Sequence, residues 1–176
     1  MGSSMWQEVG QTIAAEFSDL PDAAQVTRIL LRLTLAAVLG GLLGIEREQK
    51  GKAAGVRTHM LVAMGAALFV LLSQQAGMPP SDLSRVIQGV IAGIGFLGAG
   101  TILKGDDEDK VRGLTTAAGI WLTAAIGVAA GMGHESTAVL STLLTLAIFT
   151  LMPHLVALLE KPAPQVINPN APKDPP

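Results

Sequence analysis

The residues best equipped for chemistry crowd into one stretch, Gly44-Ile-Glu46-Arg47-Glu48 through Gly55-Val-Arg57-Thr58-His59. Carboxylates, guanidinium groups and an imidazole within sixteen positions can form ion pairs or hold an ion or a polar ligand. Glu46 directly abuts an apolar run, where an isolated charge is expensive. Its expected partner is Arg57, across the short connection; an ion or ligand held by Glu46 is the functional alternative, and simple solvation the bland one. Lys50 and Lys52 read as solvated or snorkelling charges. Arg32 lies about two turns inside an apolar run and either snorkels outward or faces Gln88 or Thr115. Asp106-Asp-Glu-Asp109 offers the carboxylate oxygens that hard cations prefer, without the spacing of an EF-hand loop. His59 and His154 are two imidazoles without a third ligand, a weak zinc signal. The metal question therefore stays open at the level of sequence.

Other chemistries find no support. The chain has no cysteine, which removes disulfides, thiolate nucleophiles and cysteine metal sites. No serine sits in a nucleophile elbow, there is no Walker sequence, and no enzyme or cofactor is expected. Gly93-Ile-Gly95-Phe96-Leu97-Gly98 matches the dinucleotide-binding string, but that string has meaning only between a strand and a helix with an acid about 20 residues on. Here it lies inside an apolar run, and acids follow too early, at Asp106 to Asp109. No basic run points to nucleic acid, and aromatic residues make up only 3% of the chain, too few for a base-stacking surface.

The elements that must carry these residues follow from hydropathy. Of 176 residues, 49% are hydrophobic and 15% charged, against about 25% charged in a soluble domain. Five apolar segments run from about 26 to 45, 58 to 76, 85 to 103, 114 to 131 and 136 to 159. Each has the roughly 20 residues a helix needs to cross about 30 Å of hydrocarbon. In lipid only a helix, or a closed barrel, satisfies the backbone of such a segment. The expected fold is all-α: a polytopic membrane bundle of five transmembrane helices over residues 26–160, preceded by a short amphipathic interfacial helix within residues 1–25. In that helix Trp6, Val9, Ile13, Phe17 and Leu20 recur at three- and four-residue spacing. A disordered proline-rich tail is expected over 161–176.

Small residues recur inside the segments. Gly40 and Gly44 form a row in the first; Gly89, Gly93, Gly95, Gly98 and Gly100 stud the third; Thr123, Gly127 and Gly131 mark the fourth. Such rows let helices approach closely, so the first, third and fourth segments are the expected tight centre, with Gly93 and Gly98 at backbone-to-backbone contacts. The leucine-rich fifth segment is expected to face lipid, kinked at Pro153. Nine of the twelve Lys and Arg residues (Arg47, Lys50, Lys52, Arg57, Lys104, Lys110, Arg112, Lys161 and Lys173) fall on one side of the five spans. The positive-inside rule puts that side, with the C-terminus, in the cytoplasm and the N-terminus outside.

Four motifs in order, Gly44-Ile-Glu46-Arg47-Glu48, Ala54-Gly55-Val56-Arg57-Thr58-His59, Gly93 through Gly100 and Gly113-Leu-Thr115-Thr116-Ala-Ala through Trp121, resemble the MgtC/SapB family of bacterial inner-membrane proteins. The resemblance covers roughly residues 28–135. It marks Glu46, Arg47, Arg57, Thr58, His59, Thr115 and Thr116 as a candidate polar site. It implies a multi-pass inner-membrane protein linked to growth under magnesium limitation and survival inside macrophages. It also implies possible partners: other membrane proteins, among them the F-type ATP synthase, or a second copy in a homo-oligomer, all within the lipid bilayer. Many members continue into a cytoplasmic ACT-like domain; here the proline-rich tail is expected in its place. Two functions follow. One is a non-enzymatic regulator acting through helix–helix contacts. The other is a small transporter or channel for an ion or solute, divalent cations among the candidate cargoes, which would need a water-filled cavity near the midplane where ionisable groups converge.

Overall fold

The structure is a computed structural model that describes residues 2–16, 22–104 and 111–159. Phe17, Leu20, the acidic run 106–109 and the expected tail at 161–176 lie outside the described residues. The described residues form six helices: α1 (Gly2–Glu16), α2 (Ala23–Gln49), α3 (Val56–Gln75), α4 (Pro80–Gly100), α5 (Leu114–Met132) and α6 (Glu135–Leu159). The last five are long and apolar enough to cross a membrane. Between α4 and α5, β1 (Leu103–Lys104) pairs antiparallel with β2 (Val111–Arg112), a two-residue ladder that hydropathy could not anticipate.

α2 and α4 start at a local start signal rather than where the apolar run begins. Asp22 accepts a hydrogen bond from the Gln25 backbone N–H at 2.6 Å, so α2 begins three residues before its apolar segment. It also runs one turn past Ile45, which places Glu46 and Arg47 on the helix rather than in a loop. Pro80 opens α4 at a position where a missing N–H does no harm. Gly113 precedes α5 with φ 94°, and its α-carbon lies against the Thr101 carbonyl, so a side chain there is excluded twice over. In α1 the described apolar residues are exposed, Trp6 at 71% and Met5, Val9 and Ile13 also outward, as an interfacial helix requires.

The packed centre is α2, α3 and α5, with α6 against α2 and α5. This corrects the expectation that the third segment, α4, belongs to it. α3 carries the carbonyls of His59, Ala63 and Ala67 at four-residue spacing, and glycines of both neighbours press onto them. A Cβ at Gly40 would lie 2.5 Å from the His59 carbonyl oxygen, and one at Gly44 2.5 Å from the Val56 α-carbon. From the other side a Cβ at Gly127 would overlap the Ala63 carbonyl, and one at Gly131 would lie 2.6 Å from the Ala67 oxygen. Real Cβ atoms do not come so close; only glycine permits this seam. Ala36, Ala63, Ala67 and Ala130 fill the middle, all fully buried.

α4 behaves differently. It lies along α5 and touches α3 less. Among the described residues, a Cβ added at Gly89, Gly93, Gly95 or Gly100 meets no atom within 4 Å, and only Gly98 finds ordinary contact, 3.5 Å from the Ala117 Cβ. The expected backbone-to-backbone contact at Gly93 is therefore absent. Gly89 and Gly93 instead line an apolar groove of about 570 Å³ between α3 and α4, opposite Leu61, Gly65 and Phe69. The glycine row predicts that something can approach α4 closely; among the described residues no helix does so at Gly89, Gly93, Gly95 or Gly100. α6 turns Leu140, Leu143, Leu144, Ile148 and Leu151 outward and buries Ala138, Thr142, Thr145 and Phe149.

Candidate functional site

Where α2 ends and α3 begins, the seam encloses charged side chains. Arg47 is only 4% exposed and Glu46 only 8%. The Arg47 Nε donates a short hydrogen bond to Glu46 Oε2, and a terminal guanidinium nitrogen pairs with the same oxygen. The guanidinium plane also lies over the Phe149 ring of α6, 3.6 Å from its centroid. A cation on a ring face is attracted by the ring quadrupole, more strongly when desolvated. Adjacent residues on a helix point about 100° apart, so the long arginine stem must fold back to reach its neighbour's carboxylate; Phe149 holds it there.

His59 lies beside this pair and is 0% exposed. Its Nδ1 sits 3.0 Å from the Gly55 carbonyl oxygen, which can only accept, so Nδ1 carries a proton and donates. Nε2 is buried without a hydrogen-bond partner, and so is Glu46 Oε1. α5 crosses above: a Cβ at Gly119 would lie 3.7 Å from His59 Nε2 and 3.1 Å from Phe149 Cζ. Gly119 thus makes room for both rings, and Thr116, one turn earlier on the same helix, is buried. By contrast the hydroxyls of Ser73, Thr123, Thr142 and Thr145 donate to carbonyls four residues back in their own helices, which accounts for their burial without any ligand.

Glu48 has a separate task. Its Oε2 accepts the Val56 backbone N–H at 2.9 Å, capping α3 where the residue at the cap position, Gly55, offers no side chain. The Glu48 carboxylate occupies the space a Gly55 side chain would need. Gly44, Glu48 and Gly55 of the sequence motifs are thus accounted for by how α2 docks on the start of α3.

The seven polar positions singled out in the sequence therefore divide. Glu46, Arg47, His59 and Thr116 are buried; Arg57, Thr58 and Thr115 are exposed. The expected Glu46–Arg57 pair does not form. Arg57, two residues before His59, points away from the face that meets α2, and Arg47 takes the carboxylate instead. Phe149 was not anticipated: it is 102 positions from Arg47, and no local spacing connects them. The only available hint was that Arg47 lies within one turn of an apolar run. His154 is exposed and bonded to the Thr150 carbonyl at 2.7 Å. Among the described residues no three His, Asp or Glu side chains form a group able to hold a metal ion.

The second charged cluster lies at the opposite end of the seam. Arg32 Nη1 donates to Gln74 Oε1 at 3.0 Å and to the Gly131 carbonyl at 2.9 Å, and its Nε is 3.7 Å from Glu135 Oε1. The expected neighbours, Gln88 and Thr115, are replaced by residues from the ends of α3, α5 and α6. Depth matching could have found them, since Gln74 and Glu135 close their apolar runs on the side from which Arg32 enters. Arg32 and Glu46 are fourteen residues apart on α2, about 21 Å along the axis, and the alanine-filled middle separates them.

Five apolar spans packed around a glycine seam, with charges sealed at its two ends, define a multi-pass α-helical membrane protein. Residues 33–158 match the MgtC family, and the chain belongs to that family. It is 47% identical over 126 residues to SrpB of Synechococcus elongatus, covering 65% of this chain and 69% of that one. It is 46% identical over 125 residues to MgtC of Brucella abortus (71% of this chain, 51% of that one). YhiD of Escherichia coli K12, named as a proposed magnesium transporter, is 41% identical over 129 residues (68% and 58%). The matched region thus spans between about half and about two thirds of these relatives' length. No solved structure matches the chain significantly.

Proposed function

We propose that this protein is a non-enzymatic regulator in the bacterial inner membrane that acts by docking α4 on another membrane protein, in the setting of magnesium limitation. The observation that carries this reading is the open glycine face of α4, at Gly89, Gly93, Gly95 and Gly100, beside a seam where Gly40, Gly44, Gly127 and Gly131 are pressed against the backbone of α3. Small residues at an unoccupied helix face favour close helix contact in lipid. The partner is a second copy or another membrane protein, the F-type ATP synthase being the one the family resemblance offers. The Lys and Arg distribution favours a cytoplasmic C-terminus and an external N-terminus. A reporter fused after Arg57 should behave as cytoplasmic and one near Pro79 as external; the reverse pattern rejects this orientation.

The transporter alternative draws support from the name of the Escherichia coli relative and from the unpartnered Glu46 Oε1 and His59 Nε2. Against it, the two charged clusters lie at opposite ends of the seam with fully buried alanines between them. Magnesium flux into proteoliposomes holding the purified chain separates the two. The regulator reading expects flux no higher than in empty liposomes; flux lost on Glu46→Gln would replace it with transport.

A further inference from the structure

A polar cavity of about 330 Å³ opens beside the Arg32 cluster, where α2 overshoots the end of α3. Gln25, Arg28 and Arg32 on α2 and Gln74 and Gln75 on α3 line it, over an apolar floor that includes Leu71. Arg28 and Arg32 are one turn apart and present two guanidinium groups to the same space. Arg32 is fixed by its bonds to Gln74 and Gly131, yet its Nε is buried with no hydrogen-bond partner. Because Gln74 accepts from Arg32 through Oε1, its amide NH₂ is left as a donor. Among the described residues Arg28 has no ion pair. Glu135 opposes part of the Arg32 charge from the α6 side, and Asp22 is engaged at the helix cap. Of the two arginines lining the cavity, Arg28 is thus the one that no described carboxylate opposes.

We infer that this cavity binds a phosphate-type anion, the chemistry shared by an anionic phospholipid headgroup and free phosphate. Guanidinium groups suit phosphate oxygens, amide donors complete the shell, and the volume is at the small end of ligand sites. The cavity stands at the end of the bundle where α3 ends and α6 begins, the depth at which spans of this length meet lipid headgroups. A zwitterionic choline headgroup would bring its ammonium next to Arg28 and be disfavoured.

Native mass spectrometry of the purified full chain in detergent, titrated with phosphatidylglycerol or phosphatidylcholine, tests this. The expected result is tighter binding of phosphatidylglycerol, with a loss of about fivefold on Arg28→Gln, the worth of one exposed ion pair. Gln75→Glu should weaken it similarly. Both positions are exposed, and an unchanged unfolding midpoint verifies that the variants fold. If millimolar inorganic phosphate displaces the lipid, or alone raises the unfolding midpoint in an Arg28-dependent way, free phosphate is the ligand. If it does neither while the lipid preference holds, the headgroup is. Equal binding of the two lipids with no phosphate effect, or binding indifferent to both variants, overturns the inference.

Discussion

Two parts of this bundle use glycine in opposite ways. Along the seam of α2, α3 and α5, Gly40, Gly44, Gly127 and Gly131 are each pressed against backbone of α3. Along α4, four glycines at similar density face open space. The sequence pattern is nearly the same; what differs is whether another helix presents a row of small residues opposite. α3 does so at Ala63 and Ala67, and no described residue does so for Gly89 and Gly93. A small-residue row therefore tells how near a neighbour can come, and not which neighbour. The charges follow the same division. Glu46, Arg47 and His59 sit at one end of the seam and Arg32 at the other, whereas α4 has ionisable residues only in its first two turns, Asp82 and Arg85.

The sharpest test of the closed region is its buried pair. Arg47→Ala leaves Glu46 buried without a counter-charge and should destabilise the protein by about 3–5 kcal/mol, read from thermal unfolding in detergent. Glu46→Gln and Arg47→Gln should couple by roughly 0.5–3 kcal/mol in a double-mutant cycle, while Glu46→Gln and Arg57→Gln should add within about 0.5 kcal/mol. Coupling of Glu46 to Arg57 instead would mean that the α2–α3 junction is wrongly described. Gly127→Leu drives a side chain into the Ala63 carbonyl and should lose about 1–3 kcal/mol or more. Near-normal stability of that variant would erase the distinction between seam and α4. Phe149→Leu keeps the volume roughly but removes the ring face under Arg47, and should lose about 0.5–2 kcal/mol. An unchanged midpoint there would leave the stacking without energetic weight.

How much of this the sequence made legible depends on range. The five spans were readable because each is a local property of about twenty residues, and the family motifs were readable as strings. Helix ends were less so: hydropathy ends α2 at Ile45, whereas the hydrogen-bonded turn continues to Gln49 and carries Glu46 and Arg47 into the protein. Pairing was the least legible. Glu46 was assigned to Arg57 because the two segments meet there, but a helix face is set by 100° steps, and Arg57 and His59, two residues apart, cannot both face α2. The Arg47–Phe149 stack and the Arg32–Glu135 pair join residues about a hundred positions apart, and no period in the chain encodes them. The α4 glycines failed for a related reason. The row reads as suited to close contact, and the pattern alone points to one of the other four helices as the neighbour, which the structure does not place there.

The smallest expected effect on stability belongs to α4, and it decides the most about function. Gly93→Leu adds a side chain where no described atom lies within 4 Å, pointing it into the groove toward α3. Without a clash, a substitution of this kind should move stability by no more than about 0.5 kcal/mol in either direction. The same side chain would stand between α4 and any helix that docks there, because close approach depends on the absence of a Cβ. The variant is therefore expected to fold normally, keep its unfolding midpoint in detergent, and fail to support growth at low magnesium in a strain that depends on this protein. Gly93→Ala, with one methyl group, should fall between. If Gly93→Leu unfolds the protein, α4 is packed against its own bundle and belongs with the seam. If it is both stable and fully active, the glycine face meets only lipid, and regulation must run through another surface. Only a stable but inactive variant keeps the two regions distinct in function as well as in packing.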